Sequence, residues 1–195
     1  GSFYSNTFFP GCVVHTLSSV GGFEVFANIF QNGAELSEII GGDNSGISSN
    51  IVGPGGKIKS ISNGNNKYIE SNNILSYGTI ESIYGNADIG FNIIQSQAQL
   101  TGIETGADCV IRFNILENGA QLTGITAGSN CSISGNTIGQ GAVIGNLEIY
   151  DNGVLSDNTL GPSSGIGTGL IIGLGSSISS NNLGAFSFIQ NTTVG

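Results

Sequence analysis

Tryptophan and methionine are absent from this chain, histidine occurs once, and basic residues number only four. Set against thirteen Asp plus Glu, those four Lys and Arg leave a formal charge of −9. A nucleic-acid or anionic-membrane partner needs clustered basic side chains, so neither is expected, and the acidic balance reads as a solubility device. No stretch approaches the ~18 consecutive apolar residues of a bilayer-spanning helix, and the first residues lack the basic and apolar regions of a signal peptide, so no membrane insertion is expected. Cysteine is scarce too. Cys12, Cys109 and Cys131 are too few for a disulfide framework and carry no CxxC spacing for zinc. Neither a cofactor nor a metal is implied.

The chain is instead rich in glycine, with 33 in 195 residues, and in Asn, Ser and Ile, with 38% hydrophobic and only 9% charged residues. That composition suits a chain that turns often and stacks small units. A fixed internal period, where one exists, decides the architecture. FNIIQSQAQLTGIETGADCVIR, from Phe91, is followed by FNILENGAQLTGITAGSNCSIS, from Phe113, an offset of 22. Extended both ways, this period places Asn6, Asn28, Asn50, Asn72, Asn92, Asn114, Asn136, Asn158 and Asn181 at one position in each of nine coils. The spacing is 20 before Asn92 and 23 before Asn181.

Four apolar columns accompany the asparagines. One reads Phe8, Phe30, Val52, Ile74, Ile94, Leu116, Ile138, Leu160 and Leu183; the second includes Leu100, Leu122 and Ile144; the third runs from Leu17 through Ile103 and Ile125 to Leu170; the fourth includes Ile89, Ile111, Ile133 and Leu155. A small residue two places before each member of the second column, such as Ala98, Ala120 and Ala142, gives the alternation of a strand, and β-branched residues inside reinforce it. No coil can bury its own apolar side, so the coils must stack about 4.8 Å apart into a rod roughly 43 Å long. The expected fold is all-β, a right-handed parallel β-helix of about nine coils of ~22 residues, because parallel crossovers favour that hand. Gly1 and Ser2 read as a tag remnant and residues 3–195 as one β-helix domain, and the ends, with Phe3 already in a core column and no polar cap after Thr192, read as cut from a longer protein.

A second polar column, Asn44, Asn66, Asn86, Asp108, Asn130 and Asn152, lies six residues before the first. Asn tolerates the left-handed backbone of a tight corner, and its amide can both donate to and accept from an identical amide one coil away, so both columns are expected at corners and in ladders.

Candidate chemistry is thin. Glu35 and Glu38 share a coil, with Lys57 stacked over Glu35 and Lys59 beneath Glu81, which reads as exposed ion pairing. Glu104 and Glu148 fall in one column with Thr126 between them, a separation of roughly 10 Å, near the upper limit for an inverting carboxylate pair. His15 has no positional nucleophile, Arg112 reads as a surface residue, and Asp108 as solvent-facing or held by neighbouring amides. Cys109 and Cys131 stack directly with parallel Cβ vectors, which favours reduced thiols over a disulfide. The segment GPSSGIGTGLIIGLG from Gly161 lacks the lysine and helix of a phosphate loop, and Thr101 and Thr123 are too few for an ice-binding array. No residue is assigned a catalytic or metal-binding role, and no ligand-binding residue is identified.

The repeats NIFQNGAELSEI, NIIQSQAQLTGI and NILENGAQLTGI and the corners GNTIG and DNTLG resemble Asn-rich β-helix segments of bacteriophage tail fibres and tailspikes. That resemblance implies an extracellular or virion-surface role, a homo-trimer or flanking domains of the same chain as partners, and host-surface polysaccharide as ligand. The chain departs from the tailspike enzymes in lacking a clustered set of acids. The reading is therefore a non-catalytic structural and attachment module. A carbohydrate-active β-helix enzyme, using Glu104 with Glu148 or Glu35 with Glu38, and a bacterial adhesin repeat stand as alternatives. Replacing Ile111 or Leu122 with Asp should place an unpaired charge in a dry stack and abolish folding, which circular dichroism and thermal melting would register; a variant melting like the parent would refute the inward assignment.

Overall fold

The computed structural model describes residues 1–62, 65, 67–85, 87–167, 171–189 and 193–194. Among these there is no helix, and every pairing is parallel, so the chain is a parallel β-solenoid. Three sheets run its length. The first stacks nine strands from Ser2–Tyr4 to Ser177–Ser179, and the second nine strands from Thr7–Phe8 to Asn182–Leu183. The third starts at Val13–Val14 and has 13 strands, because some coils cross it in two short pieces, such as Glu35–Leu36 and Ile39–Ile40, and others in one, such as Gln121–Ala127. Ser2 pairs with Glu24, and the Gly1 carbonyl accepts the Glu24 N–H at 3.0 Å, so the first two residues continue the first sheet.

The expected columns are the observed register. Ile89 stands opposite Ile111, Ile111 opposite Ile133 and Ile133 opposite Leu155, while Leu100, Leu122 and Ile144 form the same stack in the third sheet. All are buried, and with their neighbours they form one continuous core. Leu170 of the third column and Asn66 and Asn86 of the second polar column lie outside the described residues. In the last coil Ile178 and Leu183, though in core columns, are 45% and 46% exposed.

The main asparagine column is a buried ladder. Asn114 donates its Nδ2 to the Oδ1 of Asn136 at 3.0 Å and to the carbonyl of Ile89 in the preceding coil at 3.0 Å, and its backbone N–H reaches the same Asn136 Oδ1 at 2.9 Å. Its own Oδ1 accepts the N–H and Nδ2 of Asn92 at 3.1 and 3.0 Å. Every donor and both acceptor sites of the amide are thus used without water, and the pattern repeats from Asn6 to Asn181.

The two tasks expected of asparagine are divided between the columns. At the ladder corner the left-handed residue is the one before the asparagine: Ser5, Ala27, Ser49, Ser71, Phe91, Phe113, Gly135, Asp157 and Ser180 all have positive φ, between 52° and 64°. The asparagine itself must keep an ordinary backbone to aim its amide inward. In the second column Asn44, Asp108, Asn130 and Asn152 do adopt φ near 60°, at an exposed corner where Asn130 donates to Asp108 at 3.0 Å and Asn152 to Asn130 at 3.1 Å. A further left-handed turn, five residues after the ladder asparagine, recurs from Gly11 to Phe186 and carried no sequence signal beyond frequent glycine.

Asn114→Ala should strand the Asn92 amide and the Ile89 carbonyl in a dry interior, at about 1–3 kcal/mol for each orphaned group. Asn152→Gly, at the exposed corner, should cost less than about 1 kcal/mol because glycine keeps the left-handed turn. Urea unfolding of the two variants against the parent measures the contrast, and equal costs would count against a buried ladder.

Candidate functional site

The charged groups singled out in the sequence lie on the outer faces. Lys57 does stand opposite Glu35 in register, but the ion pair to Glu35 is made diagonally by Lys59, at 3.1 Å, and Lys59 also lies 3.7 Å from Glu81. A single ammonium thus bridges coils on either side of its own, all three side chains being about a third exposed or less. Glu104, Thr126 and Glu148 are successive partners in the third sheet, so the two carboxylates are two strand steps apart with a hydroxyl between them. At the N-terminal end the Ser37 hydroxyl lies 3.5 Å from His15 Nδ1, yet it bonds the carbonyls of Val14 and His15 at 3.2 and 3.0 Å. Those carbonyls compete for its one proton, which is a poor arrangement for a nucleophile.

Arg112 is a surface residue, as expected, with an unforeseen environment. Glycine at position 90 leaves its side chain room to cross a whole coil, and its guanidinium lies 3.8 Å from Glu70 and 5.7 Å from the centre of the Phe91 ring. Phe91 in turn stacks on Phe113 at 5.4 Å, and both rings are about half exposed at left-handed corners. Tyr68 uses the same device. It lies across Gly46, where a Cβ would collide with the ring, and reaches Glu24 two coils away. Burial, then the hydrogen bond to Glu24, pushes its phenol up to about 12. Phe188 likewise covers Gly165, so of the two terminal phenylalanines Phe186 alone, 89% exposed, projects freely.

Cys109 and Cys131 are buried and unbridged. Cys131 Sγ accepts the Cys109 N–H at 3.3 Å, and Thr105 Oγ1 donates to Cys109 Sγ at 3.1 Å. The hydrogen bond between the thiols, and then burial, push Cys109 well above the ordinary cysteine range, which makes it an inert core thiol. Asp108 accepts from Asn130 at the rim, one of the two expected roles.

Asp108 and Cys109 edge a recess. From Ile83 to Ile89 the chain advances 6 positions, against 8 from Ile103 to Ile111, although Ile83 pairs with Ile103 and Ile89 with Ile111. The whole deficit falls between those two register pairs. The cavity, about 320 Å³, is lined by Lys67, Tyr68, Ala87, Asp88, Ala107, Asp108 and Cys109. Lys67 occupies an inward column with Phe23, Ser45, Ala87, Cys109 and Cys131, is 3% exposed, and donates its ammonium to the Tyr84 carbonyl in the shortened coil. Burial draws its pKa down to about 8. Asp88 is fixed by the Val110 N–H at 3.1 Å.

Sequence reasoning noted the short spacing before Asn92 and went no further. The signal was available: Lys67 stands five residues before its ladder asparagine, as Phe23 and Cys109 do before theirs, in a column that is otherwise apolar or small.

No protein-family description matches the chain, and no curated protein matches it. Solved structures with partial similarity include the Streptococcus pneumoniae surface protein and adhesin PfbA, 11% identical over 87% of this chain and 69% of that one, with a TM-score of 0.34. Another is the TibC-catalysed hyper-glycosylated TibA fragment, 16% identical over 100% of this chain and 94% of that one, with a TM-score of 0.17. Neither likeness is strong enough to bear on function.

The buried lysine makes stability depend on pH in a defined direction. Between about 8 and the ordinary value of 10.5 the folded chain holds Lys67 neutral while the unfolded chain still binds the proton, so stability rises with pH across that window; below it the cost of burying the charge is fully present and constant. The melting temperature of the parent should therefore gain on that of Lys67→Met between pH 7 and pH 10.5. A difference constant with pH would place the ammonium in water.

Proposed function

We propose that the chain is a stiff attachment module of an extracellular fibre, on a virion as its resemblance to tail fibres and tailspikes implies, and that it contacts host-surface glycan without cleaving it. The observation that carries this reading is the unbroken ladder from Asn6 to Asn181, buried from Asn28 to Asn158. It ties every coil to both neighbours through side chains as well as backbone, which favours a rod that resists bending and presents its flanks at fixed spacing. Those flanks carry chemistry suited to sugars. Gln99 with Gln121 and Thr101 with Thr123 stack in register on the outer face of the third sheet, and the rings of Phe91, Phe113, Tyr84 and Tyr150 are about half exposed. Amides and hydroxyls exchange hydrogen bonds with sugar hydroxyls, and aromatic faces cover their C–H groups.

Association into a homo-trimer belongs to the same reading. Ile29 with Ile51 and Ile93 with Ile115, 36–45% exposed on the outer face of the second sheet, supply two apolar pairs for it on either side of Asn73. Labelled protein applied to immobilised bacterial surface polysaccharides should be retained on at least one of them and release no new reducing ends. Retention on none would overturn the glycan contact. Cleavage abolished by Glu104→Gln or Glu148→Gln would instead establish the enzyme alternative.

A further inference from the structure

The recess beside the shortened coil departs from an otherwise repetitive surface, and its lining is chemically mixed. Ala87 forms a small apolar floor, Ala107 a small exposed lip, and Asp88 and Asp108 face the opening from successive coils. Each carboxylate is oriented by one bond through its Oδ1, from the Val110 N–H to Asp88 and from the Asn130 amide to Asp108. Their Oδ2 atoms make no hydrogen bond among the described residues and remain as acceptors. The Lys67 ammonium at the inner end is turned to the Tyr84 carbonyl, and the Tyr68 phenol is turned away toward Glu24, so neither competes for the carboxylates. At about 320 Å³ the cavity stands at the small end of the range of roughly 300–1,000 Å³ for ligand sites, which suits one ring and not a chain of them. Among the described residues no group of three or more metal-ligating side chains is present, so two oriented acceptors over an alanine floor are better matched to hydroxyl or ammonium donors on a compact ring than to a metal ion.

We propose that this notch binds a single sugar ring that carries no negative charge, neutral or amino-substituted, with ring hydroxyl or ammonium donors on Asp88 and Asp108. The inference rests on the glycan reading above and names where one unit of the glycan docks. The two carboxylates repel a uronate, so the site selects by charge.

Three probes test it on the 15N-labelled chain: methyl glucoside, glucosamine and glucuronate. The first two should shift the amide resonances of Asp88, Asp108 and Cys109, and glucuronate should bind at least tenfold more weakly. Ala107→Trp, a change at an exposed lip, should plug the notch, erase those shifts and leave the remaining spectrum in place. Asp88→Asn with Asp108→Asn should narrow the difference between methyl glucoside and glucuronate. If neither uncharged nor amino sugar moves those amides, the notch proposal is overturned. If the parent and Ala107→Trp are retained equally on an immobilised polysaccharide, the notch fails while the glycan reading stands. If the parent is retained on no polysaccharide and no amide moves, both fall.

Discussion

A buried amide that finds all its partners in neighbouring coils is the constraint on which this molecule depends. Parallel stacking alone would fix the distance between coils, because backbone N–H and C=O groups pair wherever strands run side by side. It would not fix which residue stands over which. A slip by one residue would turn aliphatic side chains outward and part each asparagine from its partners in the adjacent coils, at the cost of several unpaired polar groups per coil. The ladder therefore acts as a register lock, and the aliphatic columns supply the driving force it holds in place. Strain at the left-handed residues beside each asparagine is tolerated because their own N–H groups bond the next coil, as Ala27 does to Ser48 at 3.1 Å and Phe113 to Ser134 at 3.2 Å.

Most of the solenoid was legible because translation copies each side-chain choice. Ile89, Ile111 and Ile133 could be placed in one stack from spacing alone, and the ladder followed from the recurrence of Asn92, Asn114 and Asn136. What spacing cannot convey is direction at the corners. Asn and its predecessor share a turn, and only the backbone reveals that Phe91 or Ala27, with no chemical preference for positive φ, takes the left-handed conformation. Diagonal contacts escaped for a related reason. Lysine and arginine are longer than one coil step, so Lys59 reaches Glu35 and Arg112 reaches Glu70 past their nearest register partners.

The recess was the least legible feature, since it is produced by residues that are missing. Periodicity reports a shortened coil as a defect in spacing, and only three dimensions show that both flanking columns stay in register while the corner closes early. The interruption is local: Asn72 still donates to Asn92 at 3.0 Å across the short coil. A repeat protein can thus gain an individual site by deleting two residues from one turn, without disturbing the stack that carries it.

Because each ladder asparagine gives one amide hydrogen to the asparagine of the following coil and receives on its oxygen from the one before, the chain of amide-to-amide bonds runs one way along the axis. The ladder is therefore directional: it opens with Asn6 donating to Asn28 and closes with Asn181 accepting from Asn158 while its own amide turns back to the carbonyls of Leu155 and Ser179. Any coil that continues it, in this chain or another, must arrive in the same orientation. Head-to-tail growth is compatible with that direction, whereas two copies meeting head to head would reverse it.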